Sequence, residues 1–84
     1  MTNQEQTPRK FVESEDDFTD IREGDIYVNN FEIEKVVTAS RLEEGITIFE
    51  TLTQDSVGTY WKQRYRTLRS KKGSPLLIDT RIVL

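Results

Sequence analysis

Beyond Gly24 the chain is punctuated by turn signals at short intervals, and that punctuation limits it to a succession of short strands. Asn29-Asn30, Glu43-Glu44-Gly45, Asp55-Ser56-Val57-Gly58 and Lys72-Gly73-Ser74-Pro75 bring together residues that accept positive φ or preset a turn. Between them Val, Ile, Thr and aromatic residues dominate, the side chains that pack best on a pleated, half-buried surface. The turns separate five strands, predicted near residues 25–28, 31–40, 46–53, 59–69 and 76–84.

Five antiparallel strands in so short a stretch exclude an immunoglobulin-type sandwich, which needs more strands and more residues. An OB barrel needs a helix between its third and fourth strands, and residues 54–58 have no room for one. The expected architecture is all-β: a five-stranded antiparallel SH3-like barrel or a strongly bent meander over residues 24–84, the single domain of an 84-residue chain. The segment Gly24-Asp25-Ile26-Tyr27, followed by Glu34-Lys35-Val36-Val37, resembles the opening of small SH3-like barrel families. The resemblance covers the first two strands, implies the fold, and carries no functional residue with it.

Side chains alternate across a strand, so each strand divides into two faces. Phe31, Ile33, Val37 and Ala39 share one face of the second strand with Lys35, which must escape at an edge or a bulge. In the third strand Ile46, Ile48 and Leu52 alternate with Thr47, Phe49, Thr51 and Thr53. Glu50 interrupts the apolar face there, so either a bulge lies nearby or Phe49 points inward. In the fourth strand Trp61, Gln63, Tyr65 and Thr67 oppose Tyr60, Lys62, Arg64, Arg66 and Leu68, which makes Trp61 and Tyr65 core or rim residues. The fifth strand sets Leu76, Ile78, Ile82 and Leu84 on one face.

Ahead of the domain, residues 1–10 hold no apolar side chain beyond Met1 and read as a disordered tail. Residues 11–23 form an acidic arm or a short helix. Ser14 and Asp17 approximate a capping box, Phe18 and Ile21 fall on one face, and Gly24 closes the turn. These signals predict a helix over 15–22, docked by Phe18 and Ile21.

Charge is segregated along the chain. Residues 1–55 carry 14 of the 15 acids and 5 of the 12 bases, whereas residues 56–84 carry 7 bases and a single acid, Asp79. The first part is therefore net −9 and the second net +6, a split that points to opposed patches or to cross-strand neutralisation. The run from Tyr60 to Lys72 concentrates six cations and three aromatics with no acid. Cations neutralise phosphates or carboxylates and aromatic faces stack on bases, so Tyr60, Lys62, Arg64, Arg66, Arg69, Lys71 and Lys72 are the candidates for an anionic partner, single-stranded nucleic acid included. A plain solvated strand face that deters aggregation is the competing reading. For a protein partner, Tyr27 and Phe49 are candidate groove aromatics, and Glu43, Glu44 and Asp55 in neighbouring loops are candidate acceptors for a basic residue. The acidic residues Glu13, Glu15, Asp16, Asp17, Asp20, Glu23 and Asp25 offer a surface for a basic partner, a phosphate mimic, or a solubilising arm.

Cysteine and histidine are both absent, which removes disulfides, thiolate and imidazole metal sites, and Ser-His-Asp or Cys nucleophiles. No Gly-rich phosphate loop and no calcium-loop pattern occurs, so neither a catalytic residue nor a metal or cofactor is expected. No apolar run exceeds three residues and no signal-peptide pattern opens the chain, which predicts a cytoplasmic protein without a membrane partner. The expectation is a non-enzymatic binding module: a small protein-interaction or regulatory protein, monomeric or weakly dimeric through an edge strand. Single-stranded nucleic-acid binding by the basic strand is the first alternative. The second is a small phage or mobile-element inhibitor that binds a host protein.

Overall fold

The computed structural model describes residues 10–13, 18, 21–67 and 75–84. It is an open sheet of six strands: β1 (Phe11–Glu13), β2 (Ile26–Val28), β3 (Glu34–Glu43), β4 (Ile46–Gln54), β5 (Tyr60–Arg66) and β6 (Leu76–Ile82). Their spatial order is their chain order. Strands β2 to β6 form an antiparallel meander, while β1 lies parallel to β2 with Val12 beside Tyr27. Among the described residues there is no helix, and hence none long and apolar enough to cross a membrane.

The all-β class agrees with the sequence pattern, but the barrel does not form. Phe11–Glu13, expected in an acidic arm or helix, instead occupies the free edge of β2. That is the edge a closing barrel would offer to its last strand, so β1 and β6 remain as two separate edges. A parallel pair requires a crossover rather than a hairpin. Between β1 and β2, Phe18 and Ile21 are buried, 5% and 3% exposed. Residues 15–17, 19 and 20 of the predicted 15–22 helix, like the 1–9 tail and the 72–74 part of the fourth turn, lie outside the described residues.

The turns explain the strand ends. Between β3 and β4, Glu44 and Gly45 both take positive φ (52° and 83°), the two-residue hairpin geometry whose twist matches its strands. The strand pair therefore runs on to Glu43↔Ile46, three residues past the predicted end of the second strand. At Asn29 the predicted two-residue turn is replaced by a wider loop. The Asn29 carboxamide oxygen accepts from the backbone N–H groups of Phe31 and Ile33 at 2.9 and 3.0 Å. That loop removes Phe31 and Ile33 from the strand and leaves them 83% and 49% exposed, so neither is the core residue the alternation predicted.

One face of the sheet is covered. Phe49 lies stacked between Phe18 and Tyr65, with ring centroids 5.4 and 5.2 Å away, and Tyr27 meets all three rings at 5.3–5.7 Å. Val12, Ile21 and Val37 complete this core. Phe49 is thus the inward residue of β4. Glu50 faces the other side.

Candidate protein-binding face

The side of the sheet that no described residue covers is set by two register shifts. The first, between Val37 and Ala39, is a bulge at Thr38 that reverses the alternation of β3. Val37 points into the core, but Ala39 pairs with Glu50 and lies on the open side, a correction to its predicted placement beside Val37. The second falls between Arg64 and Tyr65, where β6 carries the extra residue Ile78.

Three cross-strand rows make up the open face. Ile26, Val36, Leu52, Lys62 and Arg81 stand in one; Ala39, Glu50, Arg64 and Asp79 in the next; Arg41, Ile48, Arg66 and Leu76 in the third. The side chains toward β2–β4 are mostly apolar and those toward β5–β6 mostly cationic. Ile26, Ile48 and Leu52 are half-buried and Val36 is exposed.

Glu50 sits among the cations. Its carboxylate is 3.8 Å from Lys62 Nζ, 3.9 Å from Arg64 Nη2 and 4.0 Å from Arg81 Nη2. Thr38 Oγ1 donates to Glu50 Oε1 at 3.2 Å and so fixes the carboxylate from the bulge side. The Glu50 side chain is 18% exposed against 39–57% for the three cations. These distances exceed hydrogen-bond length, so the cations are gathered electrostatically and keep donors for another acceptor. The predicted cationic row of Lys62, Arg64 and Arg66 therefore lies along one face of β5, with Tyr60 at its end, but its Lys62 and Arg64 flank a carboxylate. Arg81 joins it from β6, and only the strand register shows this. Arg69, Lys71 and Lys72 lie outside the described residues, as do Glu15, Asp16, Asp17 and Asp20.

The predicted protein-binding set does not assemble. Tyr27 and Phe49 are 3% and 1% exposed and belong to the core, so neither can wall a groove. Glu43 and Glu44 adjoin the β3–β4 turn while Asp55 starts the β4–β5 turn, at opposite ends of β4. Nine residues of strand separate them by about 30 Å. Glu43 pairs with Arg41 at 3.0 Å.

Asp55 instead organises its own turn. Its Oδ1 accepts from Val57 and Thr59 N–H groups at 3.0 and 2.9 Å, and its Oδ2 accepts from Trp61 Nε1 at 3.0 Å. The indole bond, followed by the backbone N–H groups, holds this carboxyl below its ordinary pKa. Trp61 is half-buried, a rim residue tied to the turn.

Beside it on the covered face lies a cavity of about 310 Å³ lined by Ile33, Lys35, Asp55, Trp61, Gln63 and Thr80 among others. Lys35 does not escape at an edge. It is 8% exposed, and its Nζ donates to Gln63 Oε1 at 2.6 Å and Tyr65 Oη at 3.0 Å. Burial lowers its pKa and raises that of Tyr65. Among the described residues no cluster of three or more acids is placed to hold a metal ion.

Compared with models of protein families, with curated proteins and with solved structures, the chain matches none of the three.

Proposed function

We propose that the protein is a non-enzymatic binding module that docks an acidic protein surface on its open sheet face. The observation that carries this reading is the make-up of that face: half-exposed Ile26, Val36, Ile48 and Leu52 beside Lys62, Arg64, Arg66 and Arg81 on one uncovered sheet. Apolar residues on a sheet face left in water mark an interaction surface, and neighbouring cations select the sign of the partner. Such a module suits a small regulator, including one that a phage or mobile element would direct at a host protein.

Single-stranded nucleic acid is the second reading, favoured by Tyr60, 46% exposed at the end of the cationic row. It ranks second because the cations share their face with aliphatic Val36, Ile48 and Leu52, which offer bases no aromatic stacking platform, whereas Glu50 opposes any anion seated on Lys62 and Arg64, phosphate or carboxylate alike.

The test is an amide NMR titration with a polyglutamate peptide carrying interspersed leucines and, separately, with a single-stranded oligonucleotide, at low and physiological salt. Shifts at Val36, Leu52, Lys62, Arg64 and Arg81 with the peptide are expected. Stronger, base-dependent shifts at Tyr60 with the oligonucleotide would replace this reading by the second. No response to either ligand, with the fold intact, would reduce the row to surface electrostatics.

A further inference from the structure

We propose that β6 pairs antiparallel with the β6 of a second copy, across a two-fold axis at Thr80. Among the described residues strand β6 is a free edge seven residues long, and Leu76, Leu77, Ile78 and Ile82 are each about half exposed. A long apolar edge is a template for a further strand. What points to a second copy is that this edge, centred on Thr80, complements itself in charge.

The backbone restricts the choice. The N–H of Val83 donates to the Tyr60 carbonyl at 2.9 Å. Val83, Arg81 and Asp79 thus turn their backbone groups toward β5, and Thr80 and Ile82 turn theirs outward. An antiparallel partner must match outward residues with outward residues, so the axis falls on a residue and not between two. An axis at Asp79 opposes that carboxylate to its own copy, and an axis at Arg81 opposes two guanidinium groups. Like charges directly opposite are destabilising. An axis at Thr80 brings Asp79 opposite Arg81 of the second copy, twice by symmetry. It also sets Ile78 opposite Ile82 and Leu77 opposite Val83.

Asp79 and Arg81 already lie together on the open face, with Arg81 Nε 4.0 Å from Asp79 Oδ2. They would meet their counterparts in non-hydrogen-bonded pairs, where side chains approach most closely. The bulge at Ile78 limits the ladder, but both charge pairs fall within the regular stretch from Asp79 to Val83. The resulting two-fold sheet places Lys62, Arg64 and Arg66 of both copies on one continuous face.

The experiment is sedimentation equilibrium of the wild type and of the variants D79R and R81D, each checked for its fold by circular dichroism. The wild type should show a concentration-dependent dimer, and each single reversal should raise its dissociation constant by about tenfold or more. Mixing D79R with R81D restores every opposed pair, so the mixture should form a heterodimer that neither variant forms alone. Because the chain has no cysteine, T80C should also cross-link to itself on mild oxidation. Residues opposed on the axis stand about 5.5 Å apart at Cα, within disulfide reach. A wild type that stays monomeric at millimolar concentration overturns the proposal. A dimer that both reversals leave unchanged, or a mixture that does not associate, overturns the register.

Discussion

Glu50→Gln separates what the central carboxylate does for the sheet from what it does to a ligand. Glutamine keeps the shape and the acceptor that Thr38 Oγ1 uses, and removes only the charge. Three cations stand 3.8–4.0 Å from that charge. In bulk water each such contact is worth about 1 kcal/mol and near a protein surface about 4 kcal/mol before ordering is counted. Exposed pairs retain about 0.2–1 kcal/mol, and the shielding of Glu50 places these in the upper part of that range. After mutual repulsion of the cations, the substitution should lower stability by about 1–2 kcal/mol. Binding should move the other way. A ligand carboxylate seated on Lys62 or Arg64 would stand about 7 Å from Glu50, and removing that repulsion is worth about 0.6 kcal/mol in water, roughly threefold in affinity. Urea unfolding followed by the fluorescence of the single tryptophan measures the first quantity, and titration with the leucine-bearing polyglutamate peptide the second. The affinity gain should fade as salt screens the pair. Weaker peptide binding by the variant would refute the reasoning, because Glu50 would then serve the ligand by holding the cations in place and not oppose it.

Phe49→Ala should cost about 3–5 kcal/mol in urea unfolding, since it empties the centre of the aromatic stack. A loss below about 1 kcal/mol would return Phe49 to the surface. Lys35→Met tests alkaline linkage. The folded pKa of Lys35 is lowered, so from that pKa up to 10.5 the unfolded chain holds the extra proton and wild-type stability rises with pH. The Tyr65 phenol has a raised folded pKa, so above pH 10 it loses stability as the unfolded form ionises first. Unfolding measured between pH 8 and 11 should show the rise in wild type and only the fall in the variant. Asp55→Asn should remove a step on the acid side. The folded pKa of Asp55 lies below 3.8, so its contribution is complete above that value and lost as pH falls through the folded pKa. Trp61 emission in wild type should follow that loss, whereas in the variant, whose carboxamide does not titrate, it should stay flat.

What could be read in advance was local, and what could not was pairing. Glu44-Gly45 and Asp55–Gly58 mark turns because positive φ and side-chain-to-backbone bonds are demands of a few neighbouring residues. The alternation of β5 was equally legible, and the row Lys62, Arg64, Arg66 followed from it. Alternation fails wherever a strand gains a residue, and nothing in Val37-Thr38-Ala39 announces a bulge. Yet that one insertion moves Ala39 to the open side and lets Thr38 fix Glu50 there, so the apparent defect in the apolar pattern of β4 becomes the centre of the candidate face. Strand β1 was hidden for a different reason. Phe11-Val12-Glu13 is too short to carry a period, and it belongs to the sheet only through a parallel neighbour, Phe11 standing beside Ile26. Its arrival on β2 excludes closure. A barrel would have buried β6 against the first strand of the meander, and the open sheet leaves it at an edge with Asp79 and Arg81 two residues apart. The cluster around Glu50 and the self-complementary edge thus share one cause. Both depend on which strands stand side by side, and side chains read one strand at a time do not contain that information.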